Sequence, residues 1–397
     1  MVNGIELSIN SFPIELQLLL TIIRKESASV EQEIRSLLDK SIDWDKFVQL
    51  AFQHRVYPVA ASNILSSYKS LFPIEVTKQL NQMYMHNTYS MLRLTASMEQ
   101  LCKDLESNGI KALVLKGPVL AEALYGEFSL RTSKDIDLLV PEQEFERAES
   151  ILLQHGYKPD KETTQLLKSV IRKRHNLPYT HPDTGVQVEL HWRMSSNTYK
   201  EPSFSELWQR KRTTTKTNFP VYYLGQEDLF VYLVLHGALH GWFRLRWLAD
   251  IDLMLRRTDL NWAFITESFR MKDSMHVLVQ SLLLSDSIFR SPIESSGIKN
   301  REIHARSHKL AKEAIKMINE HVHIIERQTP EELKAYIKGY KTLLMSPGQK
   351  WRQMLSRLYP SSYDAELLPL PKWLHFMYFP LRPFLWAWRK KKQRAAA

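Results

Sequence analysis

At 397 residues, 44% of them hydrophobic, the chain is long enough for two or three domains with real cores, and global disorder is excluded. Cys102 is the single cysteine, which excludes an intramolecular disulfide and points to a reducing, cytoplasmic setting. The net charge of +11 suggests nucleic acid, but Arg389, Lys390, Lys391, Lys392 and Arg394 supply five of those charges, and neither a nucleic-acid-binding module nor a sustained basic helix marks the rest.

In chain order, Ser11-Phe12-Pro13 followed by Ile14, Leu18 and Ile22 predicts an early helix. Glu15 interrupts the apolar stretch and no basic segment precedes it, so no secretory signal is expected. Trp44, Phe47, Val48, Ala51 and Phe52 predict a second helix, and a long one is expected over about Thr77 to Asn108, closed by Gly109. Lys111 to Leu115 reads as a short buried strand, Lys116-Gly117-Pro118 as a turn, and Val119 to Tyr125 as a helix. Glycine permits the tight turn and proline suits the first helical position. Free N–H groups at the helix start, with the Lys116 charge beside them, can hold a phosphate, although a Gly-Pro at such a junction is usually only a turn.

Arg131 to Val140 carries the acids. As a strand, its period of two points Asp135 and Asp137 to one face and Ile136 and Leu138 to the other. Cβ atoms two residues apart lie roughly 7 Å from each other, close enough to share a divalent cation, which removes the repulsion between the carboxylates. Arg131 and Lys134, just before, are either solvated loop charges or cations that would neutralise charge on donor phosphates. Leu177 to Trp192 reads as a hairpin turning at Pro182-Asp183-Thr184-Gly185, with Gln187, Glu189 and His191 on one face. If its second arm lies beside the Asp135 strand, Glu189 joins the aspartates, and three acids on neighbouring strands can carry two metal ions.

Between these strands, Glu142 to His155 predicts an amphipathic helix ended by Gly156, and beyond Glu227 the pattern is helical again. His236 and His240 stand four apart as in a zinc-protease helix, but Gly237 replaces the glutamate that would be the base, which excludes that chemistry. The two histidines then either line a helix–helix contact or face the cleft, where His240, Arg244 and Arg246 would meet donor phosphates or an acidic acceptor. Pro347-Gly348 and Leu368 to Pro371 are breaks, and Pro380 and Pro383 are expected to break any long helix in the aromatic segment Trp373 to Trp388. That segment and the basic cluster after it either pack back onto the body or touch an anionic membrane or acidic partner. The expected division is a helical region over 1–108, a core over 109–225, a helical domain over 226–345 and an extension over 346–397.

These residues, in this order, resemble the nucleotidyltransferase domain of the polymerase-β-like superfamily, and more closely the bacterial proteins described simply as nucleotidyltransferase family proteins. The likeness is carried by Leu115-Lys116-Gly117-Pro118, Tyr125, the run from Arg131 through Asp135-Ile136-Asp137 to Val140, and Glu189-Leu190-His191-Trp192. It extends to His236 through Trp242, Arg244 through Leu248, Asp250-Ile251 and the early Trp44, Ala51, His54-Arg55-Val56 and Pro58, spanning about 40 to 257. The resemblance implies an α+β fold: a polymerase-β-like core, a small mixed sheet with flanking helices, between helical N- and C-terminal regions. It implies a Mg²⁺- or Mn²⁺-dependent transferase with Asp135, Asp137 and Glu189 as catalytic and metal-holding acids. Lys116, Gly117, Arg131 and Lys134 would bind a nucleoside triphosphate or sugar-nucleotide donor. His191, His240, Arg244 and Arg246 would bind a small-molecule, glycan or peptide acceptor, in keeping with the family's association with natural-product pathways. One departure is Pro118, where many members of the wider superfamily carry a phosphate-binding serine; a non-catalytic accessory protein that keeps the fold is the alternative.

Overall fold

The computed structural model describes residues 11–24, 30–160, 175–195, 201–257, 259–298, 305–321, 331–356, 364 and 367–395. Among the described residues five α-helices precede the first strand: α1 (Ile14–Ile23), α2 (Val30–Leu38), α3 (Trp44–Gln53), α4 (Tyr57–Asn63) and the 34-residue α5 (Ile74–Ser107). The core follows as β1 (Leu113–Lys116), α6 (Pro118–Tyr125), β2 (Asp135–Leu139), α7 (Phe145–Gln154), β3 (Lys158–Pro159), β4 (Asn176–Thr180), β5 (Gln187–His191), α8 (Phe204–Gln209), β6 (Arg212–Thr213) and β7 (Tyr222–Tyr223). Then come α9 (Gln226–Leu239), α10 (Leu245–Leu255), α11 (Trp262–Met271), α12 (Met275–Phe289), α13 (Ala305–Lys316), α14 (Glu331–Leu344), α15 (Pro347–Ser356) and α16 (Tyr378–Ala395). The architecture is α+β, a small mixed sheet among many helices.

The seven strands lie in the order β3-β4-β5-β2-β1-β7-β6. β2 is central, antiparallel to β1 and parallel to β5. Alternation along β2 and β5 decides what each face touches. Ile136, Leu138, Val188 and Leu190 enter one hydrophobic cluster with Met91, Leu94, Met98, Leu101 and Leu105, a stripe at helical spacing along α5. Leu113, Leu115 and Leu139 face the other way, into a cluster shared with α1, α3, α4, α9, α10 and α12. Asp135, Asp137 and Glu189 share that second face, so the acids point toward the helices that follow the sheet.

Two local expectations are corrected. The helix after β2 starts at Phe145, because Glu142–Glu144 form a 3₁₀ turn in which the Glu144 N–H bonds the Pro141 carbonyl, a tightening frequent at helix starts. In the last segment Pro380 and Pro383 do not break the helix: α16 runs through them. Pro380 sits in the first turn, where the missing N–H has no intrahelical partner anyway, and Pro383 forfeits a single bond. Among the described residues no helix is long and apolar enough to cross a membrane.

Candidate functional site

A row of three residues across three strands builds the site. Asp137 is paired in register with Lys116 of β1 on one side and Glu189 of β5 on the other. The first pairing depends on an irregularity: the β1–β2 register shifts between Val114 and Lys116, as a bulge does. With unbroken pairing Leu115 would stand opposite Asp137; the extra residue brings Lys116 there.

The Asp137 side chain is fully buried, so its charge requires partners. Lys116 Nζ lies 2.8 Å from Asp137 Oδ2 and 3.9 Å from Asp135 Oδ1. His191 Nε2 lies 3.1 Å from Asp137 Oδ1 and 3.4 Å from Glu189 Oε2. Asn176 donates to Glu189 Oε2 from the neighbouring β4. Burial would lower the Lys116 pKa, but the charges of Asp137 and Asp135 hold it above the usual lysine range. Burial likewise opposes charge on His191, yet its contacts with Asp137 and Glu189 keep its pKa raised. The His191 contact, against burial and helped by Lys116, holds the Glu189 carboxyl below its ordinary value.

The row opens into a cleft of about 840 Å³ between the sheet and the α9–α10 pair. Of the residues expected at the site, Asp135, Asp137, Glu189, Lys116, Lys134, His191, His240, Arg244 and Arg246 all line it. Gly117 does not. Its φ of 99° caps α6, and a Cβ there would come within 3.1 Å of the Asp135 carbonyl oxygen, so the glycine lets the helix start approach the acidic strand.

Arg131 is placed differently from the expectation of a donor contact. Its buried guanidinium forms a two-pronged pair with Asp250 of α10, whose carboxylate also accepts from the Tyr125 hydroxyl. A buried arginine needs a paired counter-charge, and Asp250 supplies it. Arg246 of the same helix donates to the Thr132 carbonyl, so α10 grips the loop that leads into β2.

Other cleft residues went unread in the sequence. Tyr232 stands four before His236 on α9, so Tyr232, His236 and His240 fall on one side of that helix, a spacing the sequence does contain. Arg55 and Lys341 reach the cleft from α4's approach and from α14, with no local signal. Arg55 has φ 59°, and beside it the buried His54 accepts from Leu245 N–H through Nδ1 and from Arg246 N–H through its carbonyl. This pins the early His54-Arg55 pair to the start of α10. Burial first, then the Arg244 charge, push the His54 pKa down to about 3. Cys102 is buried with its thiol pushed up to about 12, inert as a nucleophile.

The donor set suits a divalent cation. Ligand-capable atoms of Asp137, Glu189 and His191 all lie within 4.8 Å of one another, and Asp135 lines the same cleft. This differs from the expected three acids in that His191 enters the tight group and Asp135 is not part of it.

Acids aligned on a small mixed sheet, facing a cleft walled by helices, are the arrangement expected of a nucleotidyltransferase-like protein. Residues 40–290 match the family described as uncharacterised nucleotidyltransferase, and the chain belongs to that family. Among solved structures it is similar to an antigenic nucleotidyltransferase-like protein from Paracoccidioides brasiliensis, with 17% identity over 49% of this chain and 91% of that one and a TM-score of 0.31. No curated protein matches the chain in sequence.

Proposed function

We propose that the chain is a cytoplasmic Mg²⁺- or Mn²⁺-dependent transferase that moves a nucleotidyl group, or a related sugar- or phosphate-linked group, onto a hydroxyl or phosphate acceptor. The observation that carries this reading is the in-register row Lys116–Asp137–Glu189 with His191 against both carboxylates. Asp135, Asp137 and Glu189, with His191, would hold the cation. Bound there, it would activate the attacking oxygen and stabilise charge on the transferring phosphorus centre.

The chain's own groups do the rest. Lys116 and Lys134 neutralise the donor phosphates. His240, Arg244 and Arg246 hold the acceptor across the cleft, a glycan intermediate or modified peptide of the kind such pathways use. The acceptor oxygen forms its bond to phosphorus as the bond to the leaving phosphate breaks, and the electron pair leaves on that phosphate oxygen. The acceptor proton passes to Glu189 and on to solvent. Arg131, paired with Asp250, holds the loop that leads into β2.

The test is a screen of the four nucleoside triphosphates and common sugar nucleotides with Mg²⁺ or Mn²⁺, run beside Asp137→Asn. Turnover by the wild-type chain that disappears in the variant supports the reading. Tight donor binding with no turnover for any acceptor class favours the accessory protein, a reading that Pro118 motivates because it offers neither hydroxyl nor N–H to a phosphate.

A further inference from the structure

The helix α16 inverts the usual surface pattern. Tyr378, Leu381, Arg382, Leu385 and Arg389 recur at helical spacing and form the stripe turned toward the chain, with Tyr378 and Leu385 buried. Arg382, the one charge between Tyr378 and Trp388, is on this inner stripe, where it pairs with the buried Asp364. Every exposed position between Phe379 and Trp388 is apolar: Phe379, Phe384, Trp386 and Trp388, with two prolines and an alanine between them. Phe384 is 72% exposed and Trp388 54%, and Phe376 adds a further exposed ring just before the helix. A helix face on water normally carries the charge and hides the rings. Directly after this aromatic face the sequence runs through Lys390, Lys391, Lys392 and Arg394.

We infer that α16 is a membrane-docking helix that lays its Phe/Trp face into the headgroup region of an anionic bilayer, with the basic cluster on the lipid phosphates. Rings of this kind settle at the boundary between acyl chains and headgroups, and a neighbouring polybasic run supplies the second signal that stable anchoring needs. The charge complementarity selects the occupant. A second copy packed in parallel would bring two four-charge clusters together, which repel, whereas an anionic leaflet meets rings and cations at once. The helix lies on the surface and does not span it, since no described helix is long and apolar enough to cross.

The experiment is vesicle flotation of the full chain, using phosphatidylcholine alone and phosphatidylcholine with about a third phosphatidylserine. Two variants accompany it, Phe384→Ser with Trp388→Ser, and Lys390→Gln with Lys391→Gln and Lys392→Gln. Because Phe384 and Trp388 are exposed, the first should melt as the wild type does. The wild-type chain is expected to float with the anionic vesicles only, and to be released as salt rises. The aromatic variant should lose about tenfold or more of its partitioning. The lysine variant should lose about fivefold per charge removed. A wild-type chain that ignores anionic vesicles overturns the inference, as do variants that float unchanged. A dimer that the aromatic variant dissociates, without vesicle binding, assigns the face to a second copy and overturns it too.

Discussion

Lys116 faces Asp137 because β1 bulges between Val114 and Lys116, so a lysine occupies the place opposite the most deeply buried acid of the cleft. In that position Lys116 neutralises the aspartates, and under the proposed function it would also meet a donor phosphate. Lys116→Met should therefore weaken donor binding by about tenfold or more, the worth of one charge-assisted hydrogen bond. The same variant should show a larger rise in melting temperature on adding Mn²⁺ than the wild type, since the ammonium no longer competes. Calorimetry with the donor and a thermal-shift titration with the metal read the two effects separately.

Asp137→Asn should abolish metal-dependent turnover, with a fall of several orders of magnitude. Because Asp137 is buried against Lys116 and His191, it should also cost stability on its own. The decisive measurement is the metal-induced stabilisation, which follows RT ln(1 + [L]/Kd) in the wild type and should vanish in the variant. An undiminished shift would move the cation elsewhere.

Arg131→Met should act on folding more than on donor affinity. Breaking the buried pair with Asp250 leaves a carboxylate without its main counter-charge, at a cost of about 3–5 kcal/mol. Urea denaturation should show that loss, and the affinity for donor in the folded fraction should stay within about threefold of wild type, less than one phosphate contact would cost.

Gly237 is set by packing. A Cβ there would sit 2.2 Å from Trp242 Cζ3, and Trp242 is itself fully buried. Gly237→Ala should destabilise by about 1–3 kcal/mol through forced displacement of the indole. Paired with Trp242→Leu, it should cost less than the sum of the single changes, which a double-mutant cycle in urea would read out.

The neutral His54 makes the fold acid-sensitive. Its pKa is about 3 in the folded chain, against an ordinary value of about 6.5. The unfolded chain therefore takes up the proton first, and stability, complete above about pH 6.5, is lost progressively as pH falls toward about 3. His54→Asn keeps an acceptor for the Leu245 N–H and cannot titrate, so its urea midpoint should fall less steeply over that window.

The sequence by itself determined the local facts. Period two assigned Asp135 and Asp137 to one face of Arg131 to Val140, and Glu189 and His191 to one face of Val186 to Trp192, with the apolar alternates on the other, because alternation is a property of a single strand. The Gly-Pro turn and the helix from Pro118 were legible for the same reason: φ above zero and a missing N–H act within a few residues. The long helix read from about Thr77 begins three residues earlier, at Ile74 after Pro73.

Only the tertiary structure decided which residues meet. Register is settled by which face each strand must bury, so the Asp137–Glu189 pairing and the bulge that turns Lys116 toward Asp137 are written in no single segment. Arg131 looked free beside the acids because its partner, Asp250, lies 119 residues away and meets it only when α10 packs on that loop. Arg55, Tyr232 and Lys341 reach the cleft from three different helical regions. Their convergence depends on one shared hydrophobic core that holds the early and late helices together, which no local pattern encodes.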